Sequence, residues 1–219
     1  MSDSHSIDED QLRQALAEKP AETLSQQFAA HQQRLWRMVH FRMDPVLAAR
    51  LDPDDILQEA WLAAAQRIDH FLNQESLSFF IWLRLVVGQT LIDVQRRHLG
   101  AKMRDAYREQ SQLSSNFASR SDFSQNTSIS LARRLIGNYT SPSGVAMKHE
   151  QAEKLRQAIN EMDPIDREVL ALRHFEELSN SETAQALQIQ PKAASIRYVR
   201  AMRRLKSILE SVPGFQEES

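Results

Sequence analysis

The sequence predicts an all-α protein, with two small helical domains joined by a flexible linker and a helix-turn-helix in the C-terminal domain. Apolar residues recur at the three- and four-residue spacings of helices along most of the chain. Glycine and proline number only 5 and 7 among 219 residues, which is too few for a tightly turned β fold. No alternating pattern of useful length indicates a strand. With 42% hydrophobic residues, the chain has enough apolar material for real cores.

The composition also excludes several functional classes. There is no cysteine, so disulfides, Fe–S clusters and cysteine-bound zinc are ruled out. Neither of the common glycine-rich phosphate-binding motifs occurs, the seven histidines show no ligand spacing, and no serine or threonine lies in a nucleophile-elbow context. We therefore expect no catalytic residue, no metal and no cofactor. The apolar runs are too short to cross a bilayer, so we expect a cytoplasmic protein without membrane insertion.

A change of composition in the middle of the chain predicts the domain boundaries. Serine and asparagine crowd residues 111–130, and a turn-rich stretch follows at 138–144. A connector of about 40 residues is unusual inside a compact domain. The predicted parts are an acidic N-terminal extension at 1–24, a helical domain at 25–108, a linker at 109–147, a second helical domain at 148–210 and a tail at 211–219.

Three helices are predicted in the first domain. One covers residues 22–43. The next begins at the capping pair Asp52-Pro53 and runs to about Phe71, with an aliphatic face formed by Ile56, Ala60, Ala64 and Ile68. The third runs from Phe79 to about Arg108, starting apolar and ending basic.

The second domain has clearer helix boundaries. A helix at 148–162 is followed by one that Asp163-Pro164 caps. Ser179-x-x-Glu182 is a capping box that opens a short helix, and Pro191 begins a long last helix. Between them, a three-residue turn places Ile189 as a buried aliphatic. A short capped helix, a tight turn and a longer basic helix predict a helix-turn-helix.

The last helix is the candidate DNA-recognition element. From 191 to 209 it carries six Lys or Arg and no acid, and such motifs place this helix in the major groove. An inward stripe that includes Ala194 and Ala201 leaves one face outward, with Arg197 at its flank. The candidate DNA-binding residues are Lys192, Ser195, Ile196, Arg197, Val199, Arg200 and Arg203. The plainer alternative is a three-helix bundle with a basic surface helix.

Several sequence blocks resemble a known family. The segment 163–175, DPIDREVLALRHF, is similar to the C-terminal domain of bacterial RNA polymerase sigma factors, most closely the two-domain extracytoplasmic-function (ECF) group of the sigma-70 family. LDPDDILQEAW at 51–61 resembles the polymerase-binding helix of that group. Ser78-Phe79-x-x-Trp82-Leu83, followed by Arg96-Arg97-His98, resembles its promoter-melting helix. The two domains would then correspond to sigma regions 2 and 4.

The resemblance implies a polymerase-binding surface on the helix that Asp52 begins. Asp55, Gln58, Glu59 and Leu62 share one face, opposite the aliphatic one. An acidic and apolar face suits a partner helix with a basic rim, which the resemblance identifies as the polymerase clamp coiled coil. Acidic residues in a first helical turn are also explained by the helix dipole, but that explanation leaves Leu62 unaccounted for.

The resemblance assigns the polar stretch before the melting helix to the capture of a flipped base of the −10 element. Its candidate residues are Asn73, Gln74 and Ser76. Four basic residues suit phosphates near the opening duplex: Arg96, Arg97, Lys102 and Arg104. The neighbouring aromatics, Trp82 among them, are expected to be mostly core.

Several positions depart from the family pattern: Leu85, Gly88 and Gln89 in the melting helix, and Gln188 and Ser195 in the helix-turn-helix. Gln188 stands where the turn usually has glycine, so a left-handed backbone must be carried there by a residue with a side chain. Ser195 replaces a residue that is commonly basic. The implied function is promoter recognition and melting with core RNA polymerase, promoter DNA and an anti-sigma factor as partners. The alternative is a two-domain helix-turn-helix transcriptional regulator that binds duplex promoter DNA without polymerase.

Overall fold

The computed structural model describes residues 9–73, 77–98, 127–135 and 145–211, and these residues are helical with no strand among them. The chain divides into two compact units, Met1–Arg104 and Asp105–Ser219. No helix in the described ranges is long and apolar enough to span a membrane. The predicted all-α fold with a C-terminal helix-turn-helix is confirmed.

The first unit packs its helices around an apolar core. The helices are α1 (Glu9–Glu18), α2 (Pro20–Arg42), α3 (Pro45–Ala48), α4 (Pro53–Gln66), α5 (Ile68–Leu72) and α6 (Phe79–His98). Helix α4 packs on α2 and α6. The four residues of the predicted aliphatic face are all buried, with Ile56, Ala60 and Ala64 in α4 and Ile68 in α5. Phe79, Phe80 and Trp82 are buried too, as expected for core aromatics. The predicted continuation of α6 to Arg108 lies outside the described residues.

Local capping explains where α4 begins and ends. The Asp52 carboxylate accepts from the Asp54 N–H, and the Asp55 carboxylate accepts from the Asp52 N–H, which completes a capping box. The helix predicted to reach Phe71 is interrupted at Arg67, whose backbone leaves the helical region, and α5 begins at Ile68.

The predicted acidic extension at 1–24 includes ordered structure. Helix α1 lies within it and buries Leu12 and Leu16, one turn apart, against the rest of the first unit. It packs on α2 and α5. Net acidity alone predicts a solvated tail, whereas these two leucines give the helix an apolar face.

The second unit contains α7 (127–135), α8 (Val145–Asn160), α9 (Pro164–Leu170), a π-helical turn (Ala171–Phe175), α10 (Asn180–Leu187) and α11 (Pro191–Ser211). Helix α7 lies inside the stretch predicted as linker, and Leu131 and Ala132 are buried. The Thr127 hydroxyl donates to the Glu168 carboxylate at 2.8 Å, which ties α7 to α9. Residues 109–126 and 136–144 of that stretch lie outside the described ranges.

The helix-turn-helix follows the sequence prediction closely. Ser179 and Glu182 form the capping box at the start of α10. Gln188 ends α10 in the left-handed conformation (φ 54°, ψ 43°), where glycine is normally favoured. Ile189, predicted to be buried, is half-buried. The turn therefore holds a strained residue and directs α11 across α9 and α10.

Candidate protein-binding and nucleic-acid interfaces

All four residues predicted to bind the polymerase are exposed on α4. Leu62 is the clearest of them, with 57% of its surface exposed although it is a large apolar side chain. Spacings of three and four residues place Asp55, Gln58, Glu59 and Leu62 along one side of the helix. The half-buried Trp61 precedes Leu62 in the sequence, so the exposed apolar surface of α4 is not limited to one scattered side chain.

An open groove of about 640 Å³ runs between α2 and α4 beside this face. Gln58 and Leu62 belong to its wall, whereas Asp55 and Glu59 do not. The full lining is Ser25, Phe28, Ala29, Gln32, Asp54, Leu57, Gln58, Trp61 and Leu62. The groove thus combines an aromatic and aliphatic floor with an acidic residue at its rim.

The two predicted carboxylates that lie outside the groove already have partners within the chain. Asp55 accepts the Asp52 N–H at 3.0 Å, as part of the capping box of α4. The Glu59 carboxylate pairs with Arg97 on α6, with Nη2 and Oε1 2.5 Å apart. Glu59 and Arg97 were predicted for different surfaces, one for the polymerase and one for DNA, and the fold brings them together.

The predicted −10 residues are partly described. Asn73 is exposed just after α5 and donates from Nδ2 to the Asp69 carbonyl at 2.9 Å. Arg96 is half-buried and Arg97 exposed in the last turn of α6, where positive charge complements the helix dipole. Gln74, Ser76, Lys102 and Arg104 lie outside the described residues.

Helix α11 presents the outward face that the sequence predicts. Six of its seven predicted DNA-binding residues are exposed: Lys192, Ser195, Ile196, Val199, Arg200 and Arg203. The seventh, Arg197, is half-buried at the flank of that face. Ala194, Ala201 and Ile208 are buried on the inward stripe. The exposed apolar pair, Ile196 and Val199, lies among the basic residues, as suits contact with base edges and thymine methyl groups.

Two of these arginines are held by a buried carboxylate. Asp166 on α9 accepts from Arg197 Nη1 at 2.8 Å and from Arg200 at 2.6 Å (Nε) and 2.8 Å (Nη2). The neighbouring Asp163 lies 3.3 Å from Arg197 and 3.6 Å from Arg200. Burial alone would raise the pKa of Asp163, but hydrogen bonds from the Ile165 N–H and from Arg197 lower it overall.

A second contact fixes the start of α11. Asn180 donates from Nδ2 to the Pro191 carbonyl at 2.9 Å, and its Oδ1 accepts from the Ser195 hydroxyl at 3.0 Å. Ser195, which replaces a commonly basic residue, therefore connects the two helices of the motif. Its hydroxyl oxygen still has lone pairs for a further contact.

The described residues contain no group of three or more histidine, aspartate or glutamate side chains placed to hold a metal ion.

Comparisons with known proteins identify a domain family in the second unit and a similar protein for most of the chain. The family model described as Sigma-70, region 4 matches residues 152–205, which include the whole helix-turn-helix. The RNA polymerase sigma factor NccH of Alcaligenes xylosoxydans xylosoxydans is 27% identical over 167 residues, covering 73% of this chain and 74% of NccH. The second unit contains a sigma-70 region 4 domain. The prediction of a sigma factor of the ECF group is thereby confirmed. A solved structure of CnrH in complex with the cytosolic domain of CnrY covers 93% of this chain and 97% of that chain, at 19% identity and a TM-score of 0.49.

Within this sigma factor, the region 4 match contains every predicted recognition-helix residue from Lys192 to Arg203. It also contains Asp166, whose role the sequence did not reveal. Asp166 occupies the third position of a helix that starts at Pro164, where an acid is explained by the helix dipole alone. Its pairing with α11 becomes visible only once the two helices are packed together.

The groove residues Phe28 and Trp61 were likewise missed as parts of the candidate interface. Trp61 closes the motif LDPDDILQEAW, and its position one turn after Leu57 is a local signal that was available. Phe28 comes from α2, more than 20 residues earlier, and no local pattern connects it to α4.

Proposed function

We propose that this sigma factor binds core RNA polymerase through the groove between α2 and α4, places α11 in the −35 element and starts strand separation beside the α5–α6 connection. Direction of RNA polymerase to promoters follows from the family. The observation that carries the proposal is the region 4 match over a helix whose exposed face is basic and apolar. This match favours a sigma factor over a regulator that acts without polymerase.

The groove supports the assignment of the polymerase-binding surface. A helix laid along it would bury Leu62 and the exposed part of Trp61, and the acidic Asp54 would face a basic residue of that helix. Aromatic and aliphatic anchors in a pocket typically contribute most of the binding energy at such interfaces. We assign Gln58 and Leu62 to direct contact, and Asp55 chiefly to capping.

The connection between α5 and α6 supports the assignment of base capture. Phe71 lies on one side of it and Phe79 on the other, with the two rings in an edge-to-face contact at 5.4 Å, and both are fully buried. A rigid aromatic base under a polar connection suits a site that receives an unstacked base. We assign base reading to Asn73, Gln74 and Ser76, and phosphate contacts to Arg96, Arg97, Lys102 and Arg104.

On α11, we assign contact with the −35 element to the seven predicted residues, in two groups. Arg197 and Arg200 are held by Asp166, so they contribute from fixed positions. Lys192 and Arg203 make no ion pair within the described part of the chain and are available to base edges or phosphates.

The proposal involves no catalytic step by this chain and no cofactor. It places the sigma factor in the cytoplasm, where core polymerase and DNA are found, and it includes an anti-sigma factor as a further partner. An anti-sigma factor would compete with core polymerase for the groove between α2 and α4, because a protein that covers Leu62 prevents core binding directly.

One comparison tests the proposal. Binding of the purified chain to a library of duplexes with randomised promoter sequences is measured with and without bacterial core RNA polymerase. In the presence of polymerase, the transcripts are sequenced. We expect selective transcription with core polymerase and only weak, unselective duplex binding without it. Tight and selective duplex binding by the chain alone, unchanged by core polymerase, would establish the regulator alternative instead.

A further inference from the structure

The Asp166 carboxylate uses both of its oxygens on one arginine of α11. Its Oδ2 accepts from Arg200 Nε at 2.6 Å, and its Oδ1 accepts from Arg200 Nη2 at 2.8 Å. Two parallel bonds to a planar guanidinium fix its orientation as well as its position. Arg197 adds a single bond, from Nη1 to Oδ1 at 2.8 Å. Of the two arginines that share this carboxylate, Arg200 is therefore the one whose guanidinium plane is set by it.

Asp166 is a rigid support for that guanidinium. Its side chain is only 6% exposed, and Val169 and Leu170 hold the same helix, α9, in the core. The Arg200 side chain is 56% exposed, so it extends from this buried support towards solvent on the outward face of α11. Lost side-chain freedom is a substantial cost when a long side chain binds a partner. Arg200 loses part of that freedom on folding, before DNA is bound.

A second edge of the Arg200 guanidinium keeps its donors. A guanidinium carries five N–H groups, and the two bonds to Asp166 use one on Nε and one on Nη2. The Oδ2 atom of Asp163 lies 3.6 Å from Nη2, which is beyond hydrogen-bond distance. Within the described ranges, Nη1 makes no hydrogen bond or ion pair. The Nη1–Nη2 edge therefore presents two parallel donors, on a different side from the edge that faces Asp166.

Two parallel donors match guanine better than the other bases in the major groove. Guanine presents two acceptors there, O6 and N7, whereas adenine presents one acceptor and one donor. A phosphate also accepts two parallel donors, but the surroundings of Arg200 favour a base. Val199 is its neighbour in the sequence and Ile196 lies one turn earlier, and both are exposed apolar side chains. Such side chains suit contact with base edges better than contact with phosphates.

We propose that Arg200 reads a guanine of the −35 element through its Nη1–Nη2 edge, and that Asp166 is the positioning residue that holds this edge in one orientation. The inference rests on the proposed function, in which α11 enters the −35 element. It gives Asp166 a part in base selection, beyond joining α9 to α11. Asp166 does not touch DNA in this role, because its carboxylate is buried and paired with the two arginines.

A purely structural role for Asp166 makes a different prediction. If Asp166 only joins α9 to α11, its removal lowers the fraction of active holoenzyme and weakens binding to every −35 sequence by the same factor. If it positions Arg200, its removal lowers the preference for guanine at a single base pair. The ratio of affinities for two promoters that differ at that base pair does not depend on the active fraction, so it separates the two roles.

The test uses holoenzyme assembled from full-length chain and core RNA polymerase, with a promoter selected from the randomised library. Each −35 base pair is replaced in turn, and the ratio of the two affinities is measured. We expect Arg200→Ala to lower the preference for guanine by about tenfold at one base pair, and Asp166→Ala to lower it at the same base pair. Asp166→Asn retains one acceptor oxygen without the charge, so a smaller loss at that base pair is expected. It carries the test if Asp166→Ala does not fold.

Two further variants separate positioning from a loss of charge. Glu161→Ala is the matched control, because Glu161 is an exposed acid that lies 3.6 Å from another arginine of α11, Arg204. It is expected to keep the wild-type ratio at every base pair. Arg200→Lys keeps the positive charge without the planar fork, so it is expected to lose the preference for guanine as Arg200→Ala does.

Three results would overturn the inference. One is a wild-type ratio in both Asp166 variants, even if the thermal stability of the second unit falls. Another is an Arg200→Ala holoenzyme that binds every −35 sequence more weakly by one factor and with a lower salt slope, since that is the effect of a lost phosphate contact. Both leave the proposed function intact. The third, a wild-type holoenzyme without base preference in the −35 element, would overturn the placement of α11 there and the inference with it.

Discussion

Each unit pairs a carboxylate with an arginine assigned to DNA, but the two carboxylates differ in burial. In the first unit, Arg97 pairs with Glu59, whose side chain is 45% exposed. In the second, Arg200 pairs with Asp166, whose side chain is only 6% exposed. The two arginines themselves are equally exposed, at 56%. The burial of the carboxylate therefore determines how much each pair contributes to stability and how readily its arginine changes partner.

An exposed pair contributes little to stability and exchanges its partners readily, since water competes for both charges. A buried carboxylate requires its partners, because an uncompensated charge away from water is costly. Arg200 consequently helps to hold α11 on α9, in addition to any contact that it makes with DNA. Arg97 can leave Glu59 for a phosphate at small cost. Exposure of an arginine does not by itself identify a DNA contact.

The largest expected effect comes from removing the buried carboxylate. Asp166→Ala leaves Arg197 and Arg200 without their main partner. Because both arginines keep access to water, we expect the second unit to lose about 1–3 kcal/mol of stability. Glu59→Ala is the matched change in the first unit and is expected to cost no more than about 1 kcal/mol. Hydrogen exchange resolved by peptide measures both units in one experiment.

Fluorescence provides an independent check, because all three tryptophans lie in the first unit. Their unfolding transition is expected to stay unchanged in Asp166→Ala. Equal losses of stability from the two substitutions would remove the distinction between the buried and the exposed pair.

The next effect separates the arginines of α11. Arg203→Ala is expected to weaken −35 recognition by about 1–3 kcal/mol if Arg203 contacts a base, and to leave the stability of the second unit unchanged. Arg200→Ala is expected to weaken DNA binding and also to speed hydrogen exchange in α9 and α11, because it loosens the contact with Asp166. Footprinting of the holoenzyme measures recognition. An Arg200 variant with wild-type exchange would show that its pair with Asp166 has no structural role.

The third effect concerns the groove in the first unit. Leu62→Ala is expected to weaken binding to core polymerase by about tenfold, since it removes an apolar anchor worth about 1.4 kcal/mol. Val46→Ala on α3 is the matched control, because Val46 is 54% exposed and lies outside the groove. Competition binding with labelled core polymerase measures both variants. Equal affinities for Leu62→Ala and Val46→Ala would place the polymerase contact elsewhere.

Local sequence signals predicted the helix boundaries and the turn, and long-range packing produced the rest. The capping pairs at Asp52-Pro53 and Asp163-Pro164 could be recognised in the sequence because a cap and its helix are adjacent there. Gln188 was expected in a left-handed conformation and adopts it. The hydrogen bonds that join Arg13 and Glu9 on α1 to backbone groups of α5 and α6 span 58 to 70 residues, and no periodicity within one helix encodes them. The same holds for Asp166 and its partners on α11.

A smaller effect is expected from the exposed pair in the first unit. Arg97→Ala should reduce by about one the slope of log K against log salt for DNA binding by the holoenzyme, since one phosphate contact is lost. Glu59→Gln should leave that slope at its wild-type value, because Arg97 remains available to the phosphate. The affinity of each variant holoenzyme for DNA is measured at several salt concentrations, and the slopes for Arg97→Ala and Glu59→Gln are compared. A lower slope in Glu59→Gln would mean that Glu59 is needed to aim Arg97.

The smallest effect is the acid sensitivity of the start of α9. The pKa of Asp163 is lowered in the folded chain, because hydrogen bonds from Ile165 and Arg197 outweigh its burial. Its stabilising contribution is therefore fully present above the unfolded pKa of about 3.9 and is lost as the pH falls through the lower folded pKa. Asp163→Asn keeps an oxygen that caps the helix but does not titrate. Thermal melts between pH 3 and pH 6 should show a shallower loss of stability in this variant than in the wild type. Parallel pH profiles for the two proteins would show that the Asp163 carboxylate adds nothing beyond its cap.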